Sequence, residues 1–231
     1  GGQQSTAKPK RAQIAITLDL EMSAQYPRAG MTEWNFQKGN LDEATKQYSL
    51  EAAHVVKSYG GRLHFFCVGR VLEQANIDWL IEIAKEGHPI GNHTYDHVNV
   101  LATDAKQTQF RFQRAPWLVA GKTAAEIIRR NIHLTTVGLT QRAGIQPNGF
   151  RTPGGFHTGL SGRADVQSII KDAGFTWVSS KCPRHLSGER GKPPTEEVYD
   201  SIVEAQFQAQ PTRYPGGLIE IPMSPISDVT A

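Results

Sequence analysis

Cysteine is scarce: Cys67 and Cys182 are the only two in 231 residues. Two thiols cannot build the disulfide framework of a small secreted scaffold, although one bridge between them stays open. Long apolar runs are missing too. No stretch of about 18 apolar residues occurs, so no membrane-spanning helix is expected. Charge of one sign is not in excess, with 25 Lys plus Arg against 22 Asp plus Glu. That dispersed balance lacks the basic stripe of a nucleic-acid binder, despite a pI near 8.9. No heptad and no period of about 20–50 residues repeats, which excludes a coiled coil or a solenoid. With 39% hydrophobic and 20% charged residues, the chain is neither fibrous nor disordered. Its length suits one domain, or a single α/β barrel of roughly 200–250 residues.

Residues 1–12, within GGQQSTAKPKRA, are small, polar and basic. They read as a flexible segment without the apolar centre of a signal peptide. If a signal was removed from it, the protein is secreted or periplasmic; otherwise a cytoplasmic place is open. Residues 13–231 read as one domain. Gln13–Leu18 is a β-rich run, and a polar loop follows from Met22 to about Asn40. Helical spacing predicts a helix over Leu41–Tyr59, stopped by Gly60–Gly61. Arg62–Val68 suits a buried parallel strand. Asn76–Glu86 is a second amphipathic helix, closed by Gly87, and His88–Gly91 is a short strand. Val98–Gly121 has no clean period and is long for a connection, which suits a functional loop. Thr123–Glu126 is a capping box opening a helix to about Arg142. Phe150–Thr152 is a strand end followed by a PGGF turn. A helix over Asp165–Ala173, a strand over Phe175–Ser179, a loop over Pro183–Pro194 and a strand over Gly217–Ile221 complete the chain. Alternating strands and helices argue for parallel strands with helical crossovers.

Three local patterns carry chemistry. In GHPIGNHTYDH, His93 and His97 are four residues apart. On a helical turn that spacing would put both imidazoles on one face, close enough for one metal ion. In ITLDLE, Asp19 and Glu21 alternate at a strand end, so they can share a face. Two anions there repel unless a cation lies between them. In GFRTPGGF, Arg151 ends a strand, and the following turn offers backbone N–H groups for an oxyanion. Read alone, each has a plainer meaning: surface histidines, a capping carboxylate, a solvated arginine. His54 and His64 lie in core-like segments and read as structural. Trp34 and Trp117 fall in irregular stretches, where an aromatic face stacks a sugar or covers the core.

Together, in this order, the three patterns resemble the polysaccharide deacetylase family with its NodB homology domain. The resemblance runs from Ile14 to about Pro222, and GxxIGNHTxxH and FRTPGG are its most specific parts. It implies an α/β fold, a distorted (β/α) barrel with fewer than eight regular strands. It also implies a divalent metal, usually zinc, held by two histidines and a carboxylate, with a second carboxylate as base. Carried over, His93, His97 and Glu21 are the ligands and Asp19 is the base. Arg151 orients the base, and the Gly154 N–H faces the oxyanion. Pro153, Trp117 and Trp177 fall on the substrate side. The implied substrate is an acetylated polysaccharide or oligosaccharide, losing N- or O-linked acetyl groups.

The chain departs from the family's pattern in places. Leu20 separates the two acids, which the usual first motif places side by side as aspartates. The late leucine-x-histidine motif, source of the general acid, has no counterpart in LIEIPMSPISDVTA, and the chain ends soon after its last strand. His157 and His185 are the candidates for that proton donor, and neither is assigned. An acid-x-acid motif also resembles allantoinase-like amidohydrolases that open small cyclic amides. A carbohydrate-binding relative without catalysis is the third reading.

Overall fold

The computed structural model describes residues 14–23, 34–189 and 192–225. The segment 1–12, Gln13 and much of the Met22–Asn40 loop lie outside the described residues. The elements run β1 (Thr17–Leu20), α1 (Trp34–Gln37), α2 (Glu43–Ser58), β2 (His64–Cys67), α3 (Asp78–Lys85), β3 (Ile90–Asn92), α4 (Phe110–Arg114) and α5 (Ala124–Ala143). They continue β4 (Phe150–Phe156), α6 (Ala164–Asp172), β5 (Trp177–Lys181), α7 (Glu196–Gln208), β6 (Thr212–Arg213) and β7 (Ile219–Glu220). The seven strands form one sheet in the order β1-β2-β3-β4-β5-β7-β6. All neighbours are parallel except β6 with β7. The α/β architecture with fewer than eight strands is as expected, but the sheet is open. Among the described residues β1 and β6 are its two edges and do not pair.

Local chemistry explains the helices. Thr123 and Glu126 close a reciprocal capping box on α5, and Gly144 ends that helix in the left-handed region at φ 68°. The Asp42 carboxylate accepts the Thr45 N–H at 2.8 Å and starts α2. Sequence reasoning missed α7 and the short β6. Thr195 caps α7 in the ordinary way, but Tyr199, Val203 and Phe207 are exposed while Val198 and Ala205 are buried. Apolar residues on several faces blur the helical period. PGGF is a second correction: instead of a turn it is the irregular continuation of β4, with a register shift between Arg151 and Phe156.

Strand alternation sorts side chains between two faces. Leu20, Phe65, Cys67 and Ile90 join Ala53, Leu80 and Ile83 in one core. Phe150 and Val178 join Ile128, Ile132, Val166 and Ile170 in a second. The other face of the first five strands carries Thr17, Asp19, Phe66, Arg151 and Ser179, and there the site is built. Cys67 and Cys182 are both free thiols, and burial pushes the Cys67 thiol up to about 12. Among the described residues no helix is long and apolar enough to cross a membrane.

Candidate metal centre

Arg151 anchors the site. Its Nη1 donates to Asp19 Oδ1 at 2.9 Å, and its Nη2 donates to Thr17 Oγ1 at 2.8 Å and Ser179 Oγ at 3.2 Å. Thr17 and Asp19 share a face of β1, so both reach the same guanidinium. Arg151 is buried, and its guanidinium carbon lies 4.3 Å from the centre of the Phe66 ring. Two glycines make room for this platform. A Cβ on Gly91 would meet Phe66 at 2.6 Å, and one on Gly149 would meet Trp177 at 2.0 Å.

The histidines come together differently from the sequence expectation. His93–His97 is not a helical turn. It is an irregular loop after β3, with Thr94 and His97 in the left-handed region at φ 60° and 56°. Such conformations are costly for residues with a Cβ and persist only where neighbours enforce them. Here Thr94 N–H donates to Asn92 Oδ1, Val98 N–H to Thr94 Oγ1, and Asp96 N–H to Asn131 Oδ1 on α5. The two rings end 5.1 Å apart. His93 Nδ1 lies 2.9 Å from the Arg151 carbonyl oxygen. A carbonyl only accepts, so Nδ1 carries the proton and Nε2 keeps its lone pair. That Nε2 is buried without a hydrogen-bond partner.

Glu21 sits one residue beyond β1. Its Oε2 lies 2.7 Å from His97 Nε2 and 3.5 Å from His93 Nε2, while its Oε1 pairs with Lys38 Nζ at 2.8 Å. Ligand atoms of Glu21, His93 and His97 all lie within 4.8 Å of one another. Burial alone would raise the Glu21 carboxyl. The His93 and His97 imidazoles packed against it, His97 at hydrogen-bond distance, outweigh burial and hold the group well below the usual carboxylate range. Burial pushes the His97 imidazole down to about 4, with the Glu21 hydrogen bond opposing. An ionised carboxylate beside two imidazoles is a set of residues that suits a divalent metal. The orphaned Nε2 of His93 fits the same reading, because its Nδ1 contact is the kind that orients metal-bound imidazoles. Asp19 stands beside this group, with Oδ2 3.9 Å from His93 Nε2.

Sequence reasoning missed Lys38, Phe66, Thr17 and Ser179. The β alternation from Asp19 marks Thr17, and Phe66 follows from a strand that is apolar on both faces. Lys38 lies far along the chain in a polar stretch, and nothing local signals it. Gly154 is exposed at φ 81°, with its carbonyl accepting Thr152 Oγ1 at 2.8 Å, and Pro153 is buried. Trp177 opens β5, and its ring packs on Phe66 at 5.8 Å and His64 at 5.2 Å. It therefore lies with the platform under Arg151, two residues before Ser179. Trp117 is 71% exposed in a single 3-10 turn, Pro116–Val119. His157 is exposed after β4, and His185 holds its own loop through Nδ1 and the Leu186 carbonyl. The structure joins neither to the Asp19 cluster.

The fold is an open, largely parallel α/β sheet with a carboxylate–histidine cluster at its strand ends. The polysaccharide deacetylase family model matches residues 35–178, more than half of the chain, and the chain belongs to that family. A protein from Mycobacterium smegmatis, designated a polysaccharide deacetylase, is similar in structure at 18% identity and TM-score 0.50, covering 91% of this chain and 58% of its own. A family 4 carbohydrate esterase from Streptomyces lividans, in complex with acetate, matches at 17% identity, TM-score 0.39, covering 71% and 61%. A family 4 pseudoenzyme from Bacillus anthracis matches at 15% identity, TM-score 0.44, covering 94% and 56%. The chain thus spans under two thirds of each of these proteins. No curated protein sequence matches it.

Proposed function

We propose that the chain carries the catalytic domain of a metal-dependent deacetylase acting on an acetylated polysaccharide or oligosaccharide. One observation supports this most: Glu21, His93 and His97 turn their ligand atoms to one point, beside a carboxylate that a buried arginine holds. A divalent metal bound there, zinc by the donor set, would polarise the acetyl carbonyl and lower the pKa of water to about 7.

The chain's own residues do the rest. Asp19 uses Oδ1 to bind Arg151, which leaves Oδ2, the oxygen nearer His93, to take a proton from the attacking water. Arg151 fixes the direction of Asp19 through a charge-assisted hydrogen bond. The Gly154 backbone N–H is placed by this reading at the oxyanion, where one donor supplies roughly 2.7–4 kcal/mol to the transition state. Pro153 and Trp117 are read as flanking the acetyl group and the sugar, whereas Trp177, packed on Phe66 and His64, is read as support for Arg151.

The test is metal content together with product. Purified protein should hold one divalent ion per chain and release acetate from acetylated oligosaccharides. Ring opening of cyclic imides without acetate release would favour the small-molecule amidohydrolase. Protein that binds no metal and still binds the sugar would favour a carbohydrate-binding relative.

A further inference from the structure

Resting on the metal reading above, we propose that Lys38 is a positioning residue that restricts Glu21 to one ligand oxygen. Lys38 is only 2% exposed, and lysine is almost never fully buried unless it is paired. Its Nζ takes Glu21 Oε1 at 2.8 Å, so only Oε2 is left facing His97 and His93. Asp19 is treated in the same way: Arg151 takes Oδ1, and Oδ2 faces His93. Each carboxylate therefore has its own cation on one oxygen and offers the other to the histidines.

The backbone is built to deliver this lysine. Gly39 N–H donates to the Glu21 carbonyl at 2.6 Å, and Ser23 N–H donates to the Asn40 carbonyl at 3.1 Å. Residues 38–40 thus fold back on the chain just past β1. Gly39 sits at φ 88°, and a Cβ there would fall 2.3 Å from Arg70 Cβ, so the turn admits only glycine. Stability alone does not account for such a pair, because a buried ion pair is often no better than apolar packing. Glutamate has one more side-chain torsion than aspartate to fix, and a second anchor does that. The anchor has a cost for the metal: its fixed positive charge repels a dication.

The experiment uses cobalt(II) as probe, with the wild type, Lys38→Met, and Lys38→Gln as a second variant should the first not fold. Circular dichroism verifies the fold. Cobalt affinity should rise by about tenfold or more when the lysine charge is removed. The visible cobalt band should weaken, since Glu21 is freed to bind through both oxygens and coordination number rises. In a Glu21→Gln background, Lys38→Met should leave the cobalt band as it is in Glu21→Gln alone, because the effect passes through Glu21. Unchanged or weaker binding by both Lys38 variants would overturn the clamp, as would an equal weakening of the band by Lys38→Met in the Glu21→Gln background. A wild type that binds no cobalt would instead refute the metal centre itself, and the clamp with it.

Discussion

Arg151 and Asp19 are 132 residues apart in the chain, yet Nη1 and Oδ1 meet at 2.9 Å. The guanidinium is held at Nη2 by Thr17 and Ser179 and over the Phe66 ring, while its buried Nε has no hydrogen-bond partner. A lysine cannot reproduce a planar fork with this many contacts. Arg151→Lys is therefore expected to bind metal normally and to lose turnover on the order of 10²-fold, the cost of misaiming a reacting group. Acetate release with cobalt titration in parallel checks this. Near-normal turnover would mean that any cation suffices.

Asp19→Asn keeps the shape of the side chain and the Arg151 contact but cannot take a proton. Metal content should stay at one ion per chain, because Asp19 is outside the ligand cluster. Turnover should fall by a factor of about 10² or more, the usual scale of general base catalysis. Full activity in the metal-loaded variant would move the base to Glu21 or another group.

Much of this site was legible because its parts lie at strand ends, where β alternation and turn chemistry leave sequence marks. Asp19, Glu21, His93 and Arg151 are each within a short motif. The helical spacing of His93 and His97 named two residues whose rings do come together, but a strained loop and not a helical turn joins them, enforced by Asn92, Thr94 and Asn131. Those bonds reach across 2 to 35 positions and have no local period. Lys38 was illegible because its pairing with Glu21 comes from a fold-back through Gly39, which composition cannot distinguish from an ordinary polar loop. The helix over Glu196–Gln208 was missed because half of its apolar residues face water.

His64 gives a pH test away from Glu21, His93 and His97. Burial, with Arg151 nearby adding to it, pushes its imidazole down to about 4, while the hydrogen bond to the Asn148 carbonyl opposes. Unfolded histidine titrates near 6.5. Between these values the unfolded chain binds more protons than the folded one, so stability falls as pH drops. The contribution of neutral His64 is complete above about 6.5 and is lost as pH falls toward 4. His64→Gln should therefore be destabilised at pH 7 by lost packing, and its gap to wild type should narrow by pH 5. Chemical denaturation at both values measures it; a gap that stays constant would show that His64 titrates normally.

Two glycines separate strain from overlap. Gly144 and Gly149 both sit at positive φ, 68° and 75°. A Cβ on Gly144 meets nothing within 4 Å, while one on Gly149 meets Trp177 at 2.0 Å. Gly144→Ala should cost only the left-handed conformation, about 1–2 kcal/mol. Gly149→Ala should cost clearly more and should also disturb the platform under Arg151. Its denaturation midpoint should fall further, and turnover should fall with it. Equal midpoints for the two variants would mean that Trp177 swings aside freely.

Trp117 is the residue on which substrate length can be tested. It stands on a one-turn segment beside Leu118, and the two side chains are 71% and 51% exposed. So large an exposed ring contributes little to folding, and Trp117→Ala should leave stability and metal content nearly unchanged. An aromatic face stacked on a partner contributes roughly 0.5–1.5 kcal/mol beyond buried area, which is a several-fold effect on binding. That loss should appear for a long acetylated oligomer, whose sugars extend past the reacting acetyl group. It should be absent for a monomeric acetyl ester, which cannot reach beyond Asp19 and the histidines. Comparing KM for the two substrates decides the matter. Equal loss on both would mean that the 3-10 turn supports the centre itself, and no loss on either would leave Trp117 without a part in substrate binding.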